Sequence, residues 1–243
     1  MIGRRPPMNG YSFENYIVAE SNRFAKEACV QFVNNFGEKY NHLLICGATG
    51  TGKTHLLHAI KRSLEDGDLD MNIISITGEQ FANEVIECLR STSNAVSMNK
   101  IRKRYYAADL LIIDDIDWLQ HLEATREELL HILEKVMNDN KKVVFSSTVG
   151  INELFLDYPK LKCLVELFTV VPIEKPDEIL IDSIIKKNVI EGLSVSDDIK
   201  TYLREHSENS ITRLKGMINT IKMWIDVYGK EPSLIELDNI FER

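Results

Sequence analysis

Residues 47–54 read Gly-Ala-Thr-Gly-Thr-Gly-Lys-Thr. They follow the apolar run Leu43-Leu44-Ile45-Cys46 and precede a helical pattern from His55 to Leu64. Strand, glycine turn and helix in that order make a P-loop, whose backbone N–H groups face the phosphates of a nucleoside triphosphate. Gly47, Gly50 and Gly52 let the chain turn tightly, and the helix opening at Lys53 points its partial positive end at the same anion. Lys53 can reach the β- and γ-phosphates, and the Thr54 hydroxyl can bind Mg²⁺. Thr49, Thr51 and His55 complete the expected contact set for ATP or ADP.

A second acidic element answers the loop. Leu110-Leu111-Ile112-Ile113 is continuously apolar and ends in Asp114-Asp115, the pattern of a Walker B strand. Asp114 is expected to hold Mg²⁺ through its water shell, with Thr54 on the other side. Asp115 is expected to orient the attacking water. A polar group on the strand between the two motifs is expected at the γ-phosphate. Ser146-Ser147-Thr148 closes the run Val143–Ser147; Thr148 is the first candidate and Ser147 the second, and capping a turn is the other use for such residues.

Positioning these groups takes a sheet. Apolar runs at 43–46, 72–76, 110–113, 143–147 and 168–173 alternate with helical patterns at 21–34, 53–64, 80–89 and 123–137. Runs this apolar suit strands buried on both faces of a parallel sheet. Ser21 is expected to cap the first helix, with Phe24, Ala28, Phe32 and Val33 facing inward. The polar stretch Ser91–Asn99 reads as a loop before a basic helical segment, and Glu65–Asp68 as a turn. After Pro176 no strand pattern remains, and residues 177–190, 196–206, 211–228 and 233–241 read as helices. The expected division is therefore an α/β domain, residues 1–174, and a helical domain, residues 175–243.

The chain of 243 residues is 44% hydrophobic and 27% charged, with a net charge of −8. That acidity argues against a general affinity for DNA phosphate. Lys100, Arg102, Lys103 and Arg104, beside Tyr105 and Tyr106, form one local exception, which is either a solvated helix face or a grip on single-stranded DNA. No apolar run reaches the ~20 residues that span a bilayer, and no apolar core follows the basic N-terminal residues, so a cytoplasmic protein is expected. Cys29, Cys46, Cys88 and Cys163 are far apart and read as buried free thiols.

Several strings resemble the AAA+ domain of the bacterial replication initiator family DnaA. They are Tyr11-Ser12-Phe13-Glu14-Asn15-Tyr16, Ser21-Asn22-Arg23, the run Gly52 to Ile60, Leu111 to Ile116, Glu127 to His131 and Arg213-Leu214-Lys215-Gly216. The resemblance implies an ATP-dependent AAA+ core with a C-terminal helical lid. It also implies an adenine pocket near Ile17 and Val18, a lid arginine, and assembly with copies of itself, a DnaA-type initiator or a helicase. Three departures stand out. No arginine lies between Arg126 and Arg204, where the family carries its arginine finger. The lid arginine falls at Arg213, while alignment puts Thr212 in its place. Leu122 stands where the family has a lysine that holds single strands. The chain also ends where a DNA-reading domain would begin in the family. The implied function is regulation or initiation of chromosomal replication by a slow Mg²⁺-dependent ATPase. A direct single-strand binder, a small-molecule kinase and a scaffold with structural ATP are the competing readings.

Overall fold

The computed structural model describes residues 10–67, 71–91, 94–190 and 195–241. Two compact units emerge. One holds the chain up to Tyr16, Phe24–Gly47 and Lys53–Ile173; the other holds Ile17–Arg23, Ala48–Gly52 and the chain from Glu174 onward.

The first unit is built on a parallel sheet. Its strands are β1 (His42–Cys46), β2 (Ile73–Thr77), β3 (Leu110–Asp114), β4 (Lys142–Ser147) and β5 (Thr169–Pro172), in the order β2-β3-β4-β1-β5. The three central strands are almost wholly buried, whereas the edge strands β2 and β5 are only partly so. Continuous apolar sequence is the price of covering both faces with helices. Helices α2 (Lys53–Glu65), α3 (Gly78–Arg90), α4 (Asn94–Tyr106) and α5 (Glu123–Asn138) belong to this unit, as does the latter part of α1 (Glu20–Asn34). Leu44, Ile113 and Phe145 from the sheet share a core with Phe81, Tyr105 and Leu133 from the helices. All C-terminal strand ends lie on one edge, where ligands bind in open α/β sheets. That edge carries Gly47 after β1, Asp114 and Asp115 at the end of β3, and Ser147 and Thr148 at the end of β4.

A close approach fixes the turn after β3. The α3 N-terminus is closed by a capping box between Thr77 and Gln80. A Cβ on Gly78 would lie 2.5 Å from the Asp115 carbonyl oxygen, so only glycine lets α3 start there.

The second unit packs α7 (Glu178–Ile190), α8 (Asp197–His206), α9 (Ile211–Tyr228) and α10 (Leu234–Phe241) around Leu180, Ile184, Leu203, Leu214, Ile218 and Leu237. Ala19 joins this core.

Several local expectations are corrected. The buried stripe of α1 is Ala25, Cys29 and Phe32, and Phe24 is 61% exposed. Ser21 lies inside α1; its N–H donates to Asp177, while the Asn22 side chain accepts the Ala19 N–H at the helix start. Residues 94–99 are helical because Met98, Ile101 and Tyr105 form a stripe against the core, hidden among Ser and Asn. Residues 92–93 and Asp68 lie outside the described residues. A short helix α6 (Pro159–Val165) starts on proline and buries Leu161 and Val165. Cys163 is exposed and Cys88 half-buried, so only Cys29 and Cys46 are buried thiols.

Candidate functional site

In the first unit, β1 delivers Gly47 and α2 delivers Lys53 and Thr54. The Gly47 N–H donates to the Ser147 carbonyl at 3.1 Å, which ties the loop's entry to β4. Lys53 is buried, and its ammonium donates to the Gly47 carbonyl at 2.7 Å. The Thr54 hydroxyl donates to Asp114 Oδ2 at 2.7 Å. Lysine, threonine hydroxyl and strand-end aspartate thus converge on one edge of the sheet, the donor set a magnesium triphosphate requires. Among the described residues, no group of three or more His, Cys, Asp or Glu is placed to hold a metal by itself. A magnesium ion here would be held by Thr54 and Asp114 together with phosphate and water, as its preference for retained water allows.

Asp115 sits in the left-handed region at φ 52°, an uncommon conformation for a residue other than glycine. Its N–H is held by Ser146 Oγ at 2.8 Å, and the same hydroxyl donates to Asp114 Oδ1. Loss of solvent around the Asp115 carboxyl pushes its pKa up, and the charges of Asp114 and Asp117 add to the effect; Lys53 opposes it. Sequence reasoning does not single out Ser146. Its signal is the register: Ile113 lies opposite Phe145, so Asp114 and Ser146 are neighbours just beyond. Asp117 also escapes the motif search. It receives both hydrogens of Thr148, from the backbone N–H at 3.1 Å and from the hydroxyl. Ser147 is buried, and its hydroxyl accepts the Val149 N–H.

His55 faces the N-terminal segment. Its Nε2 lies 2.9 Å from the Ser12 carbonyl, and its ring packs against Tyr11 and Tyr16.

In the second unit, Gly50 and Gly52 adopt φ of 80° and 103°, and the Thr51 hydroxyl closes the turn on the Ala48 carbonyl at 2.9 Å. Thr49 is exposed, and Val18 is partly so. The Gly50 carbonyl accepts the Ile211 N–H at 3.0 Å, where α9 begins. A Cβ on Gly50 would come within 2.4 Å of Ser210 Oγ and 3.5 Å of Thr212 Oγ1. Thr212 is therefore the α9 residue beside the loop. Arg213 is turned to the α8–α9 corner, donating to the His206 carbonyl at 2.7 Å and pairing with Glu208 at 2.9 Å.

The basic helix α4 is largely neutralised from within. Arg102 binds Glu128 through two hydrogen bonds of 2.6 and 2.7 Å, and Arg104 pairs with Glu84 at 2.8 Å. Lys100 and Lys103 are exposed to solvent.

A parallel sheet in this strand order, with a glycine loop after β1 and paired acids after β3, defines a P-loop protein of the AAA+ class. The chain matches the family model described as the bacterial DnaA ATPase domain over residues 8–155, and it belongs to that family. It is 34% identical over 234 residues to the chromosomal replication initiator protein DnaA of Borrelia garinii subsp. bavariensis, covering 96% of this chain and 48% of that protein. The chain spans about half the length of the curated relatives it matches. Domain III of the Thermotoga maritima replication initiation protein DnaA superposes with a TM-score of 0.85 at 28% identity, covering 96% and 95% of the two chains. A replication initiator DnaA bound to AMPPCP and single-stranded DNA superposes with a TM-score of 0.77 at 28% identity, covering 90% of this chain and 68% of that one. No described helix is long and apolar enough to cross a membrane.

Proposed function

We propose that this chain binds Mg²⁺ with ATP or ADP through residues 47–54 and uses nucleotide state to control assembly in the initiation or regulation of chromosomal replication. The carrying observation is the convergence of Lys53, Thr54, Asp114 and Ser146 at the C-terminal edge of the sheet. The AMPPCP complex of a relative that superposes over 90% of this chain supports the ligand class. Bound magnesium would supply charge neutralisation for the phosphates. The protein's own part is to orient them with loop amides and Lys53 and to present Asp115 to water. The division into a nucleotide-binding part, residues 1–174, and a helical lid, residues 175–243, belongs to the same proposal, as does a cytoplasmic setting.

Partners in this reading are further copies of the chain, a DnaA-type initiator or a helicase. Hydrolysis is expected to be slow, because no arginine occurs between Arg126 and Arg204 to stabilise transition-state charge on a neighbour. Calorimetric titration with Mg-ATP should record binding, and Lys53→Ala should abolish it. Sedimentation with ATP, with ADP and without nucleotide, alone and mixed with a full-length DnaA, should show assembly that depends on the γ-phosphate. No heat of binding, or a Lys53→Ala protein indistinguishable from the parent, would end the reading.

Direct binding of single-stranded DNA is the second reading, favoured by the DNA complex of the relative. With Arg102 and Arg104 engaged by glutamates, Lys100 and Lys103 are the α4 groups left to carry it. Labelled single-stranded DNA titrated at low and high salt tests this, with no retention at low salt as the outcome against it.

A further inference from the structure

Thr148 gives both of its hydrogens to one carboxylate: N–H to Asp117 Oδ1 at 3.1 Å, hydroxyl to Asp117 Oδ2. An ionised carboxylate only accepts, so the hydroxyl must be the donor. A threonine hydroxyl has one hydrogen and two lone pairs. With the hydrogen engaged, only acceptor capacity remains on the Thr148 hydroxyl.

The turn that holds Asp117 is rigid. Residues Ile116–Leu119 form a 3₁₀ turn whose two apolar ends are fully buried. The Asp115 carbonyl accepts the Trp118 N–H at 3.1 Å, and Gly78 closes against the same carbonyl. Thr148 itself is exposed and directly follows Ser147, whose carbonyl receives the Gly47 N–H. Thr148 therefore follows the residue that holds the P-loop entry, the position where a polar group at the γ-phosphate is expected.

We propose that Asp117 is a positioning residue that turns Thr148 into an acceptor, directed at a water hydrogen rather than at a γ-phosphate oxygen, so that this chain prefers ATP over ADP only weakly. The inference rests on the nucleotide reading above. Lone pairs facing phosphate oxygens repel, whereas lone pairs facing a water orient it.

The experiment measures Mg-ATP and Mg-ADP affinities by calorimetry for the full chain, Asp117→Asn, Thr148→Val and the double variant. Asparagine keeps the shape, and its amide can donate to Thr148 Oγ, which frees the hydroxyl hydrogen. The ATP-to-ADP affinity ratio should rise about tenfold in Asp117→Asn, the scale of one hydrogen bond to a charged acceptor. The double variant should return to the parent ratio, and Thr148→Val alone should leave that ratio unchanged. A rise that persists in the double variant would show simple charge relief and overturn the proposal. So would an unchanged ratio in Asp117→Asn, or a tenfold fall in Thr148→Val. Thr148 is exposed, so its valine variant tests the point even where Asp117→Asn folds poorly. A parent protein that binds neither nucleotide overturns the nucleotide reading itself, a result visible before any ratio is taken.

Discussion

The Thr54 hydroxyl donates to Asp114 Oδ2 across 2.7 Å, joining the end of the P-loop to the end of β3. Both groups are oxygen donors suited to magnesium, and each compensates the other without it. The first prediction follows from this pairing. Chelating Mg²⁺ with EDTA should weaken ATP binding by about tenfold or more, and Thr54→Ala or Asp114→Asn should remove that dependence on the metal. Titration of ATP with and without Mg²⁺ checks it. An unchanged magnesium effect in both variants would remove these residues from the metal's surroundings.

Ser146 carries a structural task that no motif announces. It is fully buried, donates to Asp114 and accepts the Asp115 N–H. Alanine would leave both acids short of a partner. A destabilisation of about 1–3 kcal/mol is expected for a buried hydrogen-bonded group lost in this way. For a chain of this size that is a fall in Tm of roughly 2–4 °C per kcal/mol. Thermal unfolding of Ser146→Ala against Ser147→Ala is the comparison to make. The Ser147 hydroxyl accepts the Val149 N–H, while the Ser147 carbonyl that holds Gly47 survives the change, so its alanine variant should lose less.

Gly50→Ala should be harmful for two independent reasons. The backbone φ of 80° disfavours any side chain, and the new methyl would strike Ser210 Oγ at 2.4 Å. A loss of about 1–3 kcal/mol is expected from the strained conformation together with the clash. Ser210→Gly in the same chain should recover part of that loss, because it removes the clash and leaves the φ. Full recovery would show that backbone strain at Gly50 contributes nothing; no recovery would show that the contact with Ser210 does not matter.

The sheet and the P-loop were legible because their signals are local. Continuous apolar runs of four to six residues that end at glycine or aspartate suit buried strands, and the spacing of Gly50, Gly52, Lys53 and Thr54 is short-range. What stayed hidden depends on register and on tertiary choice. The sequence favours Thr148, then Ser147, and passes over Ser146 until β4 is set against β3; the pairing of Ile113 with Phe145 then puts Ser146 on the paired acids. Arg102 and Arg104 look free in a basic run, yet Glu128 and Glu84 reach them from the flanking helices α5 and α3, a packing choice the run itself does not show. Phe24 reads as core by hydrophobicity alone, but a one-residue rotation of the stripe puts Ala25 inward.

Asp115→Asn separates chemistry from stability. Nucleotide binding should survive the change, and single-turnover hydrolysis should be lost, because the amide cannot take a proton from water. Its pH signature is also fixed by sign. The folded carboxyl holds its proton to higher pH than an unfolded one, since lost solvent and the Asp114 charge disfavour ionisation. Its contribution to stability is therefore complete below the unfolded value of about 3.9 and is lost as pH rises through the folded value. Asparagine never ionises, so it escapes that loss. The variant should melt above the parent at neutral pH, and this margin should shrink on acidification towards about pH 4. Asparagine also tolerates the left-handed backbone at this position, which adds a gain that is the same at every pH. A margin that does not change between neutral and acid would therefore assign the whole effect to the backbone and none to the charge.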